Sequence, residues 1–220
     1  MRDERGFTLP EMLVTMVIMI VVLFALYSIF DMSLRVFSFG NNKVEAVQSA
    51  RAGLEKMERE IRQAYKYDSA ASQNHVFFAT ASPTTAMTVS TTAYAFTQLT
   101  FGNDISAAGT AGAGKIECGS PCEYITYKLT DDSSGTVACT VAPCTLRRVN
   151  TANSADAGDP IVENVAANGL SFTLLKSSGN APANESEVGM VLVSLDVVVD
   201  QGIGNAGTQK LTTVIDLRNR

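Results

Sequence analysis

Residues Arg5–Val14 read RGFTLPEMLV, and the reading of this stretch decides the reading of the rest. One carboxylate, Glu11, stands at the edge of an apolar run that continues without a charge from Met12 to Phe30. An acid beside a helix of membrane length is unfavourable unless it is paired or held at the surface. A glycine and a phenylalanine, Gly6 and Phe7, precede it close to the first methionine. A helix from Phe7 to Phe30 has 24 residues. At ~1.5 Å per residue it spans about 36 Å, enough to cross a hydrocarbon core.

Three accounts of this segment compete. A secretory signal peptide is disfavoured, because the run exceeds a usual h-region and no small-x-small cleavage site follows it. A plain signal anchor explains the run but leaves Pro10 and Glu11 as accidents. The third account removes residues 1–6 by a cut between Gly6 and Phe7, ahead of the apolar run.

The third account matches a known pattern. Gly6-Phe7-Thr8-Leu9-Pro10-Glu11 resembles the prepilin peptidase site of type IV pilins and type II secretion pseudopilins. The resemblance implies cleavage after Gly6 by a membrane aspartic peptidase and N-methylation of the new N-terminal Phe7. It also gives Glu11 a role in assembly, as partner of the positive α-amine of Phe7 in a neighbouring subunit. The leader Met1–Gly6 departs mildly from the family, mixing signs where many leaders are mainly basic. The bland alternative for Glu11 is an acid at headgroup level that needs no partner. Pro10 suits either account, since a helix tolerates Pro in its first turn.

Beyond the membrane length the helix is expected to continue with a different character. Val47, Ala50, Leu54, Met57, Ile61 and Ala64 follow a 3,4 spacing and form one apolar stripe. Arg51, Glu55, Lys56, Glu58, Arg59, Glu60 and Arg62 occupy the other faces. Glu55–Arg59 and Glu58–Arg62 are acid-before-base pairs at i,i+4, each worth a few tenths of a kcal/mol. Gly40-Asn41-Asn42 is expected to kink or locally unwind the helix. The stripe is read chiefly as packing on the protein's own sheet, with an exclusively intersubunit seam as the alternative.

After Tyr67 the composition shifts to Gly, Ser, Thr, Asn and Ala broken by short β-branched runs. Candidate strands are Val76–Ala79, Met87–Thr91, Gln98–Phe101, Glu123–Leu129, Cys144–Val149, Leu170–Lys176, Met190–Asp200 and Lys210–Leu217. Odd-numbered Val191 to Val199 alternate with residues 192 to 200, as a half-buried strand requires. Gly109–Gly114 and Ser177–Glu187 read as flexible loops. The expected architecture is α+β, the type IV pilin-like fold. Residues 1–6 form a cleaved leader, 7–30 a transmembrane helix, 31–67 its amphipathic continuation, and 68–220 an antiparallel β head.

Order within the head narrows the resemblance. Ala50–Ala64, ARAGLEKMEREIRQA, is similar to the helix end of PilW-type minor pilins and of the J pseudopilin of type II secretion. The segments ITYKL, TLRRV, IVENVAANGLSFTLL, VLVSLDVVV and VIDLRNR follow in the order of that subgroup. Together they favour a minor subunit over a major pilin, in agreement with the chain's 220 residues.

Four cysteines lie in two short motifs, Cys118 and Cys122 in CGSPC, Cys139 and Cys144 in CTVAPC. An exported head would carry them as disulfides. Local pairs 118–122 and 139–144 and cross-pairing between the two loops are both open. A four-cysteine zinc site is the sharp alternative, though zinc ribbons favour a two-residue gap within each pair.

Composition bounds the remaining function classes. The chain is 46% apolar and 18% charged, ordinary for one that buries a core. Its formal net charge of −5 falls wholly after Tyr65, where nine Lys/Arg meet fourteen Asp/Glu. That sign argues against nucleic-acid binding by the bulk surface. The one histidine, His75, has no nucleophile motif nearby and reads as a polar loop residue. Asp131-Asp132-Ser133-Ser134-Gly135 lacks the spacing of an EF-hand and reads as an ordinary turn. No catalytic residue, cofactor or metal is therefore expected.

The resemblance implies a minor pilin that helps to initiate a type IV pilus or sits in its tip complex. The alternatives are a J-like subunit of a type II secretion pseudopilus and a tip-located binding module for adhesion or DNA uptake. Implied partners are other minor and major pilins, the prepilin peptidase, the assembly platform and the membrane. The implied location is a single pass of the inner membrane with the head in the periplasm or outside, then the pilus tip.

Overall fold

A computed structural model describes residues 8–64, 76–80, 82–103, 116, 123–131, 135, 137–150, 157–200 and 206–218. One helix, α1, runs from Leu9 to Arg62, 54 residues in a single element. It joins the two segments expected from sequence. The local unwinding expected at Gly40-Asn41-Asn42 does not occur, since the three residues are helical. A lone glycine costs a helix about 1 kcal/mol, and hydrogen bonding propagated from both sides carries the helix through it.

Only the far end of α1 is buried. Ala50, Leu54, Met57, Ile61 and Ala64 lie in the core, and Val47 is half-buried. The stripe therefore packs on the chain's own head, as its spacing predicted. Glu58 pairs with Arg62, while Glu55–Arg59 is not among the described ion pairs. Gly53 is buried against the sheet, where an added Cβ would collide with the Val162 side chain. A side chain at this position would force Val162 or the helix to shift.

The head is one curled antiparallel sheet. Its strands are β1 (Phe77–Thr80), β2 (Ser82–Ala86), β3 (Ala95–Phe96), β4 (Leu99–Gly102), β5 (Tyr124–Asp131), β6 (Cys144–Val149), β7 (Asp159–Leu175), β8 (Met190–Asp200) and β9 (Ala206–Asp216). They follow the order β2-β1-β4-β5-β6-β7-β8-β9, with β3 added against β7. This is the α+β, pilin-like architecture expected from sequence.

Strands β6 and β8 coincide with the expected ones, and β1, β4, β5 and β9 overlap theirs. Met87–Thr91 is not a strand. Met87 and Val89 are buried with Thr88 exposed between them, which mimics alternation. Yet Ser90 turns the chain by exchanging backbone hydrogen bonds with Ala93 at 3.0 and 3.2 Å. The true strand is β2, and its Pro83 suits the sheet edge. Ser177–Glu187, read as a flexible loop, is tied down instead. Glu185 Oε1 accepts from the backbone N–H groups of Val76 and Phe77 at 2.5 and 2.9 Å. Lys176 and Glu187 pair at 2.9 Å.

Strand β7 is longer than expected, with 17 residues against the seven of Leu170–Lys176. Its first half pairs with β6, its second with β8 and β3. Between Val165↔Val197 and Leu170↔Leu195 it advances five residues while β8 advances two. Asn164 and Asn168 take φ 57°, the left-handed region that Asn tolerates. The Asn/Gly segment ahead of Leu170 is thus a bulge inside one bent strand. A Cβ on Gly169 would lie 2.7 Å from the Asp196 carbonyl oxygen, so the bulge closes on glycine.

Residues Val191, Val193, Leu195 and Val197 point into the main core with Ala50, Leu54, Met57, Ile61 and Ala64 of the helix stripe, Phe77, Leu99, Phe101, Tyr127, Leu146 and Phe172. A second, smaller cluster of Phe78, Ile116 and Tyr124 lies apart from it.

Candidate assembly site

The N-terminal half of α1 sets the chemistry of this protein. Thr8 precedes the helix in an extended conformation, and its carbonyl accepts from the N–H groups of Glu11 and Met12 at 3.1 and 3.2 Å. Pro10 lies in the first turn, where its missing N–H leaves no intrahelical bond unmade. Glu11 lies in the same turn and is exposed. Its carboxylate complements the positive end of the helix dipole. Gly6 and Phe7, the expected cleavage and methylation positions, lie outside the described residues.

From Leu9 onward the apolar side chains of this half point outward on every side. Leu13, Val17, Phe24 and Phe37 are 59–70% exposed. The segment is long and apolar enough to cross a membrane. No side chain of the head covers it among the described residues.

The other end of the helix is fastened by a polar cluster that the sequence reading missed. Glu60 lies next to the buried Ile61 and reaches the sheet. Its Oε2 accepts from the Tyr127 hydroxyl at 2.7 Å, and both carboxylate oxygens accept from Arg148 Nε at 3.0 and 2.9 Å. Tyr127 is fully buried, and the Glu60 and Arg148 side chains are each 15% exposed. Burial pushes the Tyr127 phenol well above its ordinary range, and the Glu60 charge pushes it further. For Arg148, burial works against the charge, but the hydrogen bond and charge of Glu60 outweigh it and raise its pKa. Tyr127 thus stays a neutral donor and Arg148 a cation, both directed at one carboxylate. The pattern gave no cue, because Glu60 reads as one more charge on a polar face.

Cys139 and Cys144 are joined, with Cα atoms 5.7 Å apart. Cross-pairing of these two cysteines with the other motif is therefore excluded, and so is a zinc site using all four thiols. Cys118 and Cys122 lie outside the described residues. The bond closes the turn between β5 and β6, leaving Val141 76% exposed at its tip. His75 and Asp132–Ser134 also fall outside the described residues, and no group of three metal-ligating side chains occurs among the described ones.

Where the bulge parts β7 from β8, a groove of about 560 Å³ opens under the helix. Asn42, Glu45 and Ser49 of α1 line it with Glu163 and Asn164 of β7 and Val198 of β8.

Residues 1–27 match the family model of the prokaryotic N-terminal methylation motif. The match supports a type IV pilin-like prepilin, and with the long apolar helix it fits a membrane-anchored, single-pass chain. No curated protein matches the chain, and neither does any solved structure.

Proposed function

From a chain that carries the prokaryotic N-terminal methylation motif ahead of a helix bare over its first half, we propose a minor pilin. In this reading it is a structural subunit that helps to initiate a type IV pilus or completes its tip. Prepilin peptidase removes Met1–Gly6, and Phe7 is methylated. The anchor waits in the inner membrane with the head on the far side. An assembly platform then draws the helix out of the bilayer into a bundle with other pilins.

The observation that carries this reading is the exposure of Glu11 at the head of an apolar helix that no part of the head covers among the described residues. A lone carboxylate there is unfavourable in lipid and gains a partner when a neighbour's Phe7 amine arrives. The bundle that replaces lipid around Leu13, Val17 and Phe24 supplies that neighbour.

The test is Glu11→Ala as the only copy at native expression. Processed protein should reach the membrane in normal amount, with Met1–Gly6 lost and a methyl on Phe7 by mass spectrometry. Pili should be fewer, since a loss of ~1.4 kcal/mol weakens subunit association about tenfold. Unchanged piliation would reduce Glu11 to a headgroup-level acid, and an intact leader in assembled material would overturn the reading altogether.

A further inference from the structure

Among the described residues, the last strand of the sheet is paired on one side only. Strand β9 pairs with β8 over eleven consecutive residues, Ala206 to Asp216, with no shift of register. It ends the strand order, and among the described residues nothing pairs with its far side. Natural sheets blunt such an edge with proline, a bulge, several lysines or a covering element. Strand β9 has no proline and no bulge, and one lysine, Lys210. Helix α1 packs beside β9, with Arg51, Leu54, Glu55 and Glu58 lining a groove shared with Leu211, Thr212 and Thr213, and it makes no backbone pairing with the strand. Thr208, Lys210, Thr212, Val214 and Asp216 are exposed along one face of the strand.

The order of these side chains is self-complementary. Two copies of β9 running antiparallel with Thr213 opposite Thr213 bring Lys210 of each opposite Asp216 of the other. Thr212 then faces Val214, and Leu211 faces Ile215. A shift by two residues places Lys210 opposite Val214 or, the other way, opposite Arg218. A shift by one would set outward-pointing backbone groups against inward-pointing ones. One register therefore satisfies both charges. Neither Lys210 nor Asp216 takes part in an ion pair among the described residues, and Asp196, beside Lys210 on β8, leaves Oδ1 without a hydrogen-bond partner.

We propose that β9 is an interface for a second copy of this chain, joined edge to edge in an antiparallel β9–β9 ladder with reciprocal Lys210–Asp216 pairs. Main-chain hydrogen bonds hold the ladder, and the two charge pairs set its register. The proposal goes beyond the pilin reading, because it requires only an anchored chain with an exported head.

The test is made on the full chain in its membrane, before assembly. Opposed residues of an antiparallel pair have Cα atoms about 4.5–5.5 Å apart, within the reach of a disulfide. Thr213→Cys should therefore give a reducible dimer of twice the chain's mass. Thr212→Cys and Val214→Cys, both at exposed positions, should cross-link to each other when co-expressed and far less when alone. In the Thr213→Cys background, Lys210→Asp and Asp216→Lys should each reduce the dimer about tenfold. Co-expression of these two should restore it, since each supplies the charge the other lacks. The idea is overturned by no dimer from either cysteine design, by cross-links indifferent to the charge changes, or by a product that contains a different protein. None of these readouts depends on piliation, so failure here and failure of the Glu11 test are separate results.

Discussion

The two halves of α1 obey the same helical geometry and live in different solvents. Leu13, Val17 and Phe24 in the first half are 59–70% exposed, whereas Ala50, Met57 and Ile61 in the second are fully buried. The first half is apolar on every face, so a single side of packing cannot satisfy it. The second is apolar along one stripe, and the head's sheet takes up that stripe. Stability of the head should therefore be insensitive to the first half and acutely sensitive to the second. The first half should report only on lipid and on other subunits.

The largest effect should come from Ile61→Ala. The side chain is completely buried between the sheet and the helix. Removing it loses transfer energy and leaves a cavity, typically ~2–5 kcal/mol for this truncation. Urea unfolding of the full chain in detergent, followed by a probe in the head, should show a midpoint shift of that size. A loss below ~1 kcal/mol would mean that the helix end is not part of the head's cooperative unit.

Glu60 is next, and it tests whether polar fastening matters beside apolar packing. Glu60→Ala leaves the Tyr127 hydroxyl and Arg148 facing a gap with little water, at a cost of about 2–3 kcal/mol. Glu60→Gln keeps an acceptor and should lose less. The pH dependence has a definite sign. The folded pKa of Tyr127 is raised, so its contribution is fully present below the unfolded value of about 10. It is lost as pH climbs from there toward the folded value, at up to ~1.4 kcal/mol per pH unit. Arg148, also raised, acts in the same direction at higher pH still. Tyr127→Phe should flatten the alkaline limb of the stability curve. An unchanged limb would remove the phenol–carboxylate bond as its cause.

What the sequence made legible follows from the same contrast. Periodicity reports burial, so the membrane half, the stripe from Ala50 to Ala64 and the alternation of β8 could be read directly. It failed where burial and pairing part company. Met87 and Val89 alternate in burial without making a ladder, and Asn164 to Gly169, outside the expected strand Leu170–Lys176, lie within β7. The Gly6–Glu11 motif was legible because peptidase recognition needs residues adjacent in sequence. The clasp of Glu60, Tyr127 and Arg148 was not, because its members lie 67 and 88 residues apart and meet only after the sheet has curled. Gly53 stands in plain view within ARAGLEKM, yet its reason, contact with Val162, lies more than a hundred residues away.

The smallest effect, and the one that most sharpens the contrast, should come from Leu23→Ala. Leu23 is as apolar as Ile61, but it is 54% exposed and far from the head. If the first half is held only by its surroundings, head unfolding should move by less than ~0.5 kcal/mol, the range of surface changes away from packed sites. Membrane insertion should also survive, because the remaining run still exceeds the length a bilayer requires. Any deficit should appear in assembly, where each lost contact between packed helices weakens the bundle. A head midpoint shifted as far as by Ile61→Ala would show that the anchor folds back on the head, and the division of α1 into two solvents would have to be abandoned.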